Sequence, residues 1–341
     1  MAGIADMFGF LFGSSDSKDP DNEIIKIAIE AIVDQVEPRV RMDTGYQRKL
    51  TGSVRHTLAY LRAFRDELPQ EPLTLARAQW SRDPRLNAFF ATADDVPAVI
   101  GKSRELRALF QKAPPEVTEA TAMLGMKLTE RQVLGPKLVG SELHHDVAQT
   151  SVSFSMHRLF GPALTLLETR REVGRRLFLR LAQVALKRIM EADNLAADLS
   201  QRKGYLATRL RLLNLAKDGI EGIVDDPASI AEQIRSVESE LKGTVDQFIE
   251  VKSSVATLDR YIDQINDVLD HPEAHLKLVR TPLRVSRLGI KVEAGEDPNA
   301  NELVLDQLQF ADISVVVATV SIPRAEMPPA EDLVAKAERY L

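Results

Sequence analysis

Residues 227–270 read PASIAEQIRSVESELKGTVDQFIEVKSSVATLDRYIDQINDVLD, and this stretch decides the fold. Apolar side chains recur in it at alternating intervals of four and three residues, with Thr244 at the one polar position. These seam positions are Ile230, Ile234, Val237, Leu241, Thr244, Phe248, Val251, Val255, Leu258, Ile262, Ile265 and Leu269. A repeat of 3.5 residues keeps one side of a helix facing a partner helix along its whole length. The spacing therefore predicts a coiled-coil helix about 65 Å long, capped by Asp226 and ended by Pro272.

A second long helix is predicted to precede it, roughly from Leu164 to Ala216. In and just after this helix, the residues at heptad spacing are Leu199, Leu206, Leu213 and Ile220. The connection KDGIEGIVDDP is short, which favours antiparallel neighbours. Residues 161–218 hold twelve basic and six acidic side chains, a net charge of +6, and residues 219–273 hold four and thirteen, a net charge of −9. Because oppositely charged flanks favour pairing, the two helices are predicted to form one antiparallel coiled-coil hairpin.

Strand patterns lie on both sides of this hairpin. Leu124, Met126 and Leu128 alternate with other residues, as do Val152, Phe154 and Met156, and a period of two places side chains on one face of a strand. The β-branched run ISVVVATVSI (313–322) is typical of a buried strand. The segment between the first two patterns, with Gly135, Pro136 and Gly140, is interpreted as a loop.

The fold class follows as α+β, predominantly α: a long antiparallel coiled-coil helical hairpin inserted in a small β-containing base and preceded by an N-terminal helical unit. The predicted domains are a flexible apolar N-terminal segment and linker at 1–21, a helical domain at 22–114, a β-containing base at 115–160 and 276–341, and the hairpin at 161–275. Within the helical domain, Leu73–Phe90 is interpreted as two short helices, and residues 94–114 as one.

Composition excludes several kinds of site. The chain of 341 residues has no cysteine, so disulfides, thiolate metal sites, iron–sulfur clusters and cysteine nucleophiles are excluded. A net charge of −6 gives no overall attraction to nucleic acid or anionic lipid. Phosphate-binding glycine motifs are missing, and no stretch approaches the length of a membrane-spanning helix. No family motif is recognised, and no catalytic, cofactor-binding or metal-binding residue and no cofactor is predicted.

Two apolar segments are candidates for contact with other molecules. The hairpin tip carries Ile220, Ile223 and Val224 where the chain turns in solvent, and these residues are predicted either to contact a partner or to close a small core of the tip. The N-terminal block of Met7, Phe8, Phe10, Leu11 and Phe12 is predicted to contact a membrane or a partner, or to fold back on the protein. The acidic residues that follow it oppose contact with anionic lipid.

Two further patterns have chemical alternatives. The Arg-rich stretch RREVGRRLFLRLAQVALKR (170–188) could track phosphates, but it lacks interleaved aromatic residues and an acidic helix competes for it. Glu142, His144, His145 and Asp146 lie together, yet adjacent histidines do not point the same way on a strand or a helix. A solvated loop is therefore preferred to a metal site there.

The sequence thus predicts a non-enzymatic coiled-coil scaffold or adaptor that mediates protein–protein interaction or self-association, in a cytoplasmic or membrane-peripheral location. The alternatives are a membrane-peripheral protein anchored by the N-terminal segment and a nucleic-acid-binding protein that uses the Arg-rich first arm. An enzyme with an unfamiliar cleft remains a further alternative.

Overall fold

A computed structural model describes residues 20–69, 71–139, 142–218, 227–255, 258–293, 297, 299–310 and 313–329. The helices are α1 (Pro20–Val36), α2 (Tyr46–Glu67), α3 (Pro84–Phe89), α4 (Asp95–Lys102), α5 (Arg104–Lys112), α6 (Leu166–Asp218), α7 (Pro227–Val255), α8 (Leu258–Asp270) and α9 (Pro272–His275). The strands are β1 (Leu73–Thr74), β2 (Glu119–Val139), β3 (Glu142–Ala163), β4 (Leu276–Val285), β5 (Asn301–Phe310) and β6 (Ile313–Pro323). The fold class is α+β with helix predominating, as predicted.

The described residues fall into two compact units. The first contains those within Leu58–Phe178 and Pro272–Leu341, and the second contains those within Asp21–Thr57 and Leu179–His271. α2 and α6 each continue from one unit into the other. The domain scheme drawn from the sequence stays a prediction.

The second unit is helical, and α1, the first part of α2, and α8 share its core. Its most buried side chains include Ile29, Ile32, Val33, Leu50, Val54, Leu181, Ile262 and Ile265. The hydroxyl of Thr57 donates to the Leu269 carbonyl at 2.5 Å, and the Asn266 amide donates to the Lys49 carbonyl at 3.3 Å. Fully burying an Ile or Leu side chain contributes about 1.5–3 kcal/mol, so apolar burial dominates the stability of this unit.

The first unit is built on a six-stranded sheet among the described residues, with the order β3-β2-β6-β5-β4 and β1 paired in parallel to β6. The segment 286–292 bonds to β4 on one side and to β3 on the other, and so links the two ends of the sheet. The bonds to β3 run from Val152 N to Gly289 O (2.7 Å) and from Lys291 N to Thr150 O (2.8 Å), and the bond to β4 runs from Val292 N to Arg284 O (3.1 Å). Within the segment, Ser286 N donates to Ile290 O (2.8 Å). The ladder therefore closes on itself, which removes exposed strand edges at this level.

Alternate residues of the strands point into the core of the first unit, as the period of two requires. Strand residues in this core are Ala120, Ala122, Leu124, Met126, Val152, Leu283, Val285, Leu303, Leu305, Val316, Val320 and Ile322. The helical residues packed with them are Leu86, Phe89, Phe90, Val96, Val99, Ile100, Leu106 and Phe110. Helices α3 to α5 thus fill the concave side of the curved sheet.

Gly289 is needed at the closing turn. Its φ is +75°, and a Cβ built there lies 3.0 Å from the Val152 carbonyl oxygen. A side chain is disfavoured at this backbone conformation, whereas Gly52 in α2 has open space around it.

Gly289→Ala is therefore expected to lower the free energy of unfolding by about 1–3 kcal/mol, whereas Gly52→Ala is expected to raise it by up to about 1 kcal/mol because alanine favours helix. Chemical denaturation of both variants measures the two shifts. Equal shifts of the same sign would contradict this account of the closing turn.

Several local expectations were wrong. Leu73–Thr74 is a strand and not a helix, and the predicted helix over 94–114 is two helices that meet at Ser103, whose hydroxyl caps α5. The segment interpreted as a loop between β2 and β3 is strand on both sides: β2 pairs with β3 from Thr121–Ala163 out to Val139–Glu142. Beyond Gln132 and Thr150, where segment 286–292 makes its last bond to β3, β2 and β3 pair only with each other among the described residues, so a two-stranded ribbon extends about 23 Å from the sheet. Pro328 and Pro329 predict the start of a short final helix over 331–340, and those residues lie outside the described part.

The predicted single helix over 227–270 is described as two helices, α7 and α8, with residues 256 and 257 outside the described part. The preceding helix, α6, is continuous through Gly174 and Gly204. It begins with a capping box in which Glu168 N donates to Thr165 Oγ1 and Thr165 N donates to Glu168 Oε2, each at 3.2 Å.

Candidate interaction surface

The seam positions of α7 and α8 are withdrawn from solvent. Ile230, Ile234, Val237, Thr244, Ile262, Ile265 and Leu269 are buried, and Leu241, Phe248, Val251 and Leu258 are half-buried. Their neighbours Ser236 and Glu238 are exposed. The side chain of Val255 lies outside the described part. The described heptad positions of both helices are therefore withdrawn from solvent, and in α8 Val268, outside the series, is buried with them.

α6 contacts α7 and α8 through pairs of side chains. Arg188 pairs with Asp267 at 2.5 Å, and Arg202 pairs with Glu240 at 2.7 Å. The Nζ atom of Lys203 lies 4.6 Å from the centre of the Phe248 ring. Arg188 of α6 thus meets Asp267, whereas Arg202, later in α6, meets Glu240, which is earlier in the chain than Asp267. This order is expected where two helices run in opposite directions. The ion pairs are exposed and contribute about 0–1 kcal/mol each, so they add less to stability than the buried seam.

The outer face of α6 carries a stripe of exposed apolar side chains. The relative exposures are 54% for Met190, 65% for Tyr205, 62% for Leu212 and 63% for Leu215. At about 100° per residue these four lie within roughly 80° of one another around the helix. Leu199 and Leu206, which are buried, point roughly 150° away from them. We call Met190, Tyr205, Leu212 and Leu215 the outer stripe.

Two arginines flank the distal end of the outer stripe. Arg209 and Arg211 are exposed, and neither has an ion pair or side-chain hydrogen bond with another described residue. By contrast Arg188 and Arg202, on the side that meets α7 and α8, are both paired with acids. The outer stripe therefore combines apolar area with uncompensated positive charge at its distal end.

Sequence reasoning missed the outer stripe because it searched α6 for one heptad series only. A signal was present: Leu212 and Leu213 are adjacent, so they point about 100° apart, and Leu215 follows Leu212 at a spacing of three. A helix with apolar residues on two faces has more apolar surface than one partner helix covers. The residues predicted for contact, Ile220, Ile223 and Val224 at the tip and Met7, Phe8, Phe10, Leu11 and Phe12 near the N-terminus, lie outside the described part.

The basic start of α6, considered for nucleic acid, is partly occupied by internal contacts. Glu172 accepts from both Arg175 (2.6 Å) and Arg176 (2.7 Å), and Arg176 also pairs with Glu105 at 2.7 Å. These guanidinium groups hold the pKa of Glu172 below its ordinary value although burial opposes the shift. Arg170 donates to the Pro69 carbonyl at 3.2 Å. Few of these charges are left for a phosphate chain, although binding itself stays an open prediction.

His144 and His145 lie on β3 and are exposed, so the loop expected around them is replaced by strand. Within the described ranges, no group of three or more His, Cys, Asp or Glu side chains is arranged to hold a metal ion. Nor does any helix in the described part have the length and hydropathy that crossing a bilayer requires.

Comparisons with known proteins give no assignment: no family model, no curated protein and no solved structure matches this chain.

Proposed function

We propose that this protein is a non-enzymatic scaffold whose α6 pairs with α7 and α8 as an antiparallel coiled-coil hairpin, and which self-associates through the outer stripe. The observation that carries the proposal is the set of four large apolar side chains, each more than half exposed, on the face of α6 that points away from its buried residues. Exposed apolar side chains grouped on one helix face in this way mark sites of protein interaction. The buried seam and the opposed charges of the two arms support the hairpin.

A second copy of this chain is the occupant that the charges favour. Between residues 179 and 218 there are eight basic and four acidic side chains, and between 227 and 270 there are four and nine. Every copy therefore offers a basic and an acidic helical surface to the next. Ile249, 59% exposed on α7, supplies an apolar contact point next to Glu250 in the acidic arm.

The area of the outer stripe sets the expected affinity of self-association. Met190 to Leu215 spans 25 residues, about 38 Å of helix, and a helix face about 10 Å wide then gives at most roughly 400 Å², part of which belongs to the polar residues Asn194 and Gln201. A stable interface buries about 800 Å² on each partner. The association is therefore expected to be weak and reversible, with a dissociation constant on the order of micromolar.

The variant Tyr205→Ser/Leu212→Ser/Leu215→Ser is expected to be monomeric at concentrations where the wild type dimerises, because it loses most of the apolar stripe. Sedimentation velocity between about 1 and 200 µM measures this difference. The matched control is Leu134→Ser/Leu167→Ser/Val304→Ser, three exposed apolar residues elsewhere. The control is expected to dimerise as the wild type does.

A wild type that stays monomeric throughout that range would overturn self-association. Equal loss of dimer in both triple variants would show that general surface hydrophobicity, and not the outer stripe, drives association. Circular dichroism of each variant establishes that its helix content is unchanged.

A further inference from the structure

The first unit contains an open cleft of about 680 Å³. Its walls come from four separate parts of the chain: residues 80–84 and 87–91, residues 152–154 of β3, residues 285–289, and Asn301 of β5. This volume lies in the range of small-molecule sites, about 300–1,000 Å³. Nothing in the scaffold function uses it.

One wall is aromatic and is held in place by hydrogen bonds. The Trp80 indole N–H donates to the Phe90 carbonyl at 2.8 Å, and His157 Nε2 donates to the Phe89 carbonyl at 2.8 Å. The His157 ring stacks on Phe90 at 4.6 Å between centres, and Phe89 meets Phe154 edge to face at 5.0 Å. Burial lowers the pKa of His157, and the hydrogen bond to the Phe89 carbonyl opposes this shift. The wall is therefore preformed.

A second part of the lining is a hydrogen-bonded turn. Ser286 Oγ accepts from the backbone N–H groups of Leu288 (3.3 Å) and Ile290 (3.2 Å), and this turn holds the Leu288 side chain 89% exposed at the mouth of the cleft. An apolar side chain fixed in water at a cleft mouth is covered when an apolar ligand binds.

Two positively charged side chains make the cleft selective for anions. Arg82 and Arg287 both line it, and neither has an ion pair or side-chain hydrogen bond with another described residue. The one acid in the lining, Asp83, is already engaged: it accepts from the backbone N–H of Arg85 at 2.8 Å and pairs with the Arg85 guanidinium at 3.3 Å. Two guanidinium groups are thus left without a partner among the described residues, and guanidinium binds carboxylate and phosphate through paired hydrogen bonds.

We infer that this cleft binds a small amphipathic anion, with its carboxylate or phosphate on Arg82 and Arg287 and its aromatic or alkyl body against Trp80, Phe89 and Phe154. The site is independent of the outer stripe, so it stands or falls separately from the scaffold function.

Trp80 is the single tryptophan of the chain and lines the cleft, so its emission reports binding directly. The probes are 4-phenylbutyrate, phenyl phosphate and octanoate, compared with the uncharged 4-phenylbutanol. We expect saturable changes in Trp80 emission and saturable heat in calorimetry with at least one anion. We expect 4-phenylbutanol to bind at least about tenfold more weakly than the anion that binds best.

Arg82→Gln and Arg287→Gln are each expected to weaken anion binding about tenfold or more, because a hydrogen bond to a charged group is lost. Arg131→Gln, an exposed arginine of β2 outside the cleft lining, is the matched control and is expected to bind as the wild type does. Unchanged circular dichroism and unliganded Trp80 emission establish that each variant folds.

The inference is overturned if none of the three anions gives saturable binding up to 10 mM (on the order of the weakest specific affinities). It is overturned equally if 4-phenylbutanol binds as well as the anions do, or if Arg131→Gln weakens binding as much as the two cleft substitutions.

Discussion

Val237→Asp is expected to lower the free energy of unfolding of the helical unit by about 3–5 kcal/mol. Val237 is 2% exposed and belongs to the seam of α7, where Ile230 and Ile234 are also buried. The substitution removes a buried apolar side chain and places a carboxylate in the same space. No basic residue lies at a described seam position to compensate the charge, so the helix separates from its neighbour or the carboxylate is protonated.

Thermal unfolding followed by circular dichroism at 222 nm measures this effect, since it reports the helices. Trp80 fluorescence is recorded in parallel and reports the other unit, in which the single tryptophan lies. Ser236→Asp is the matched control: it adds the same carboxylate one residue away at an exposed position and is expected to change the free energy by less than about 0.5 kcal/mol. If the two variants melt alike, the seam of α7 does not stabilise the protein.

The heptad spacing of residues 227–270 was informative because a repeat of 3.5 residues keeps the same side of a helix facing inward along its length. Each described seam position is buried or half-buried, and this could be predicted from intervals of four and three without knowledge of the partner. α6 was harder to interpret because it has apolar residues on two faces, of which only the one carrying Leu199 and Leu206 is buried. One heptad series explains one face and leaves the other unexplained.

The ribbon of β2 and β3 was missed because Gly135 and Pro136 indicate a loop by composition. In the structure the pairing shifts register between Gly135 and Lys137, and a bulge of this kind accommodates a residue without an N–H. Gln149 also donates to the Pro136 carbonyl at 3.0 Å and ties the bulge to the facing strand. A proline argues against a central strand, but an edge strand with a bulge accommodates it. The sequence alone does not distinguish a loop from such a bulged strand.

The cleft could not be predicted at all from spacing. Arg82 and Arg287 are separated by more than two hundred residues and come together because the turn at Gly289 closes the sheet onto β3. Neither arginine belongs to a charge run or a motif. The sequence supplied only the general alternative of an enzyme with an unfamiliar cleft.

Phe90→Ala is expected to lower the free energy of unfolding of the first unit, which contains the sheet, by about 3–5 kcal/mol. Phe90 is fully buried, and its ring lies between the helical core and the His157 ring, so truncation leaves a cavity that its neighbours can only partly fill. Its carbonyl also accepts the Trp80 N–H, so the loss of packing is transmitted to the aromatic wall of the cleft.

Denaturation followed by Trp80 fluorescence measures this loss, and Phe90→Leu is the control that keeps most of the buried volume and costs less, about 1–2 kcal/mol. The same pair separates stability from binding. Because the wall holds the ligand body and the arginines hold its anionic group, Phe90→Ala is expected to weaken 4-phenylbutyrate more than phenyl phosphate, whose apolar part is smaller. If Phe90→Ala unfolds at the same denaturant concentration as Phe90→Leu, the Phe90 ring is not the packing centre that holds Trp80 and His157 in position, and the preformed wall of the cleft must be explained by the hydrogen bonds alone.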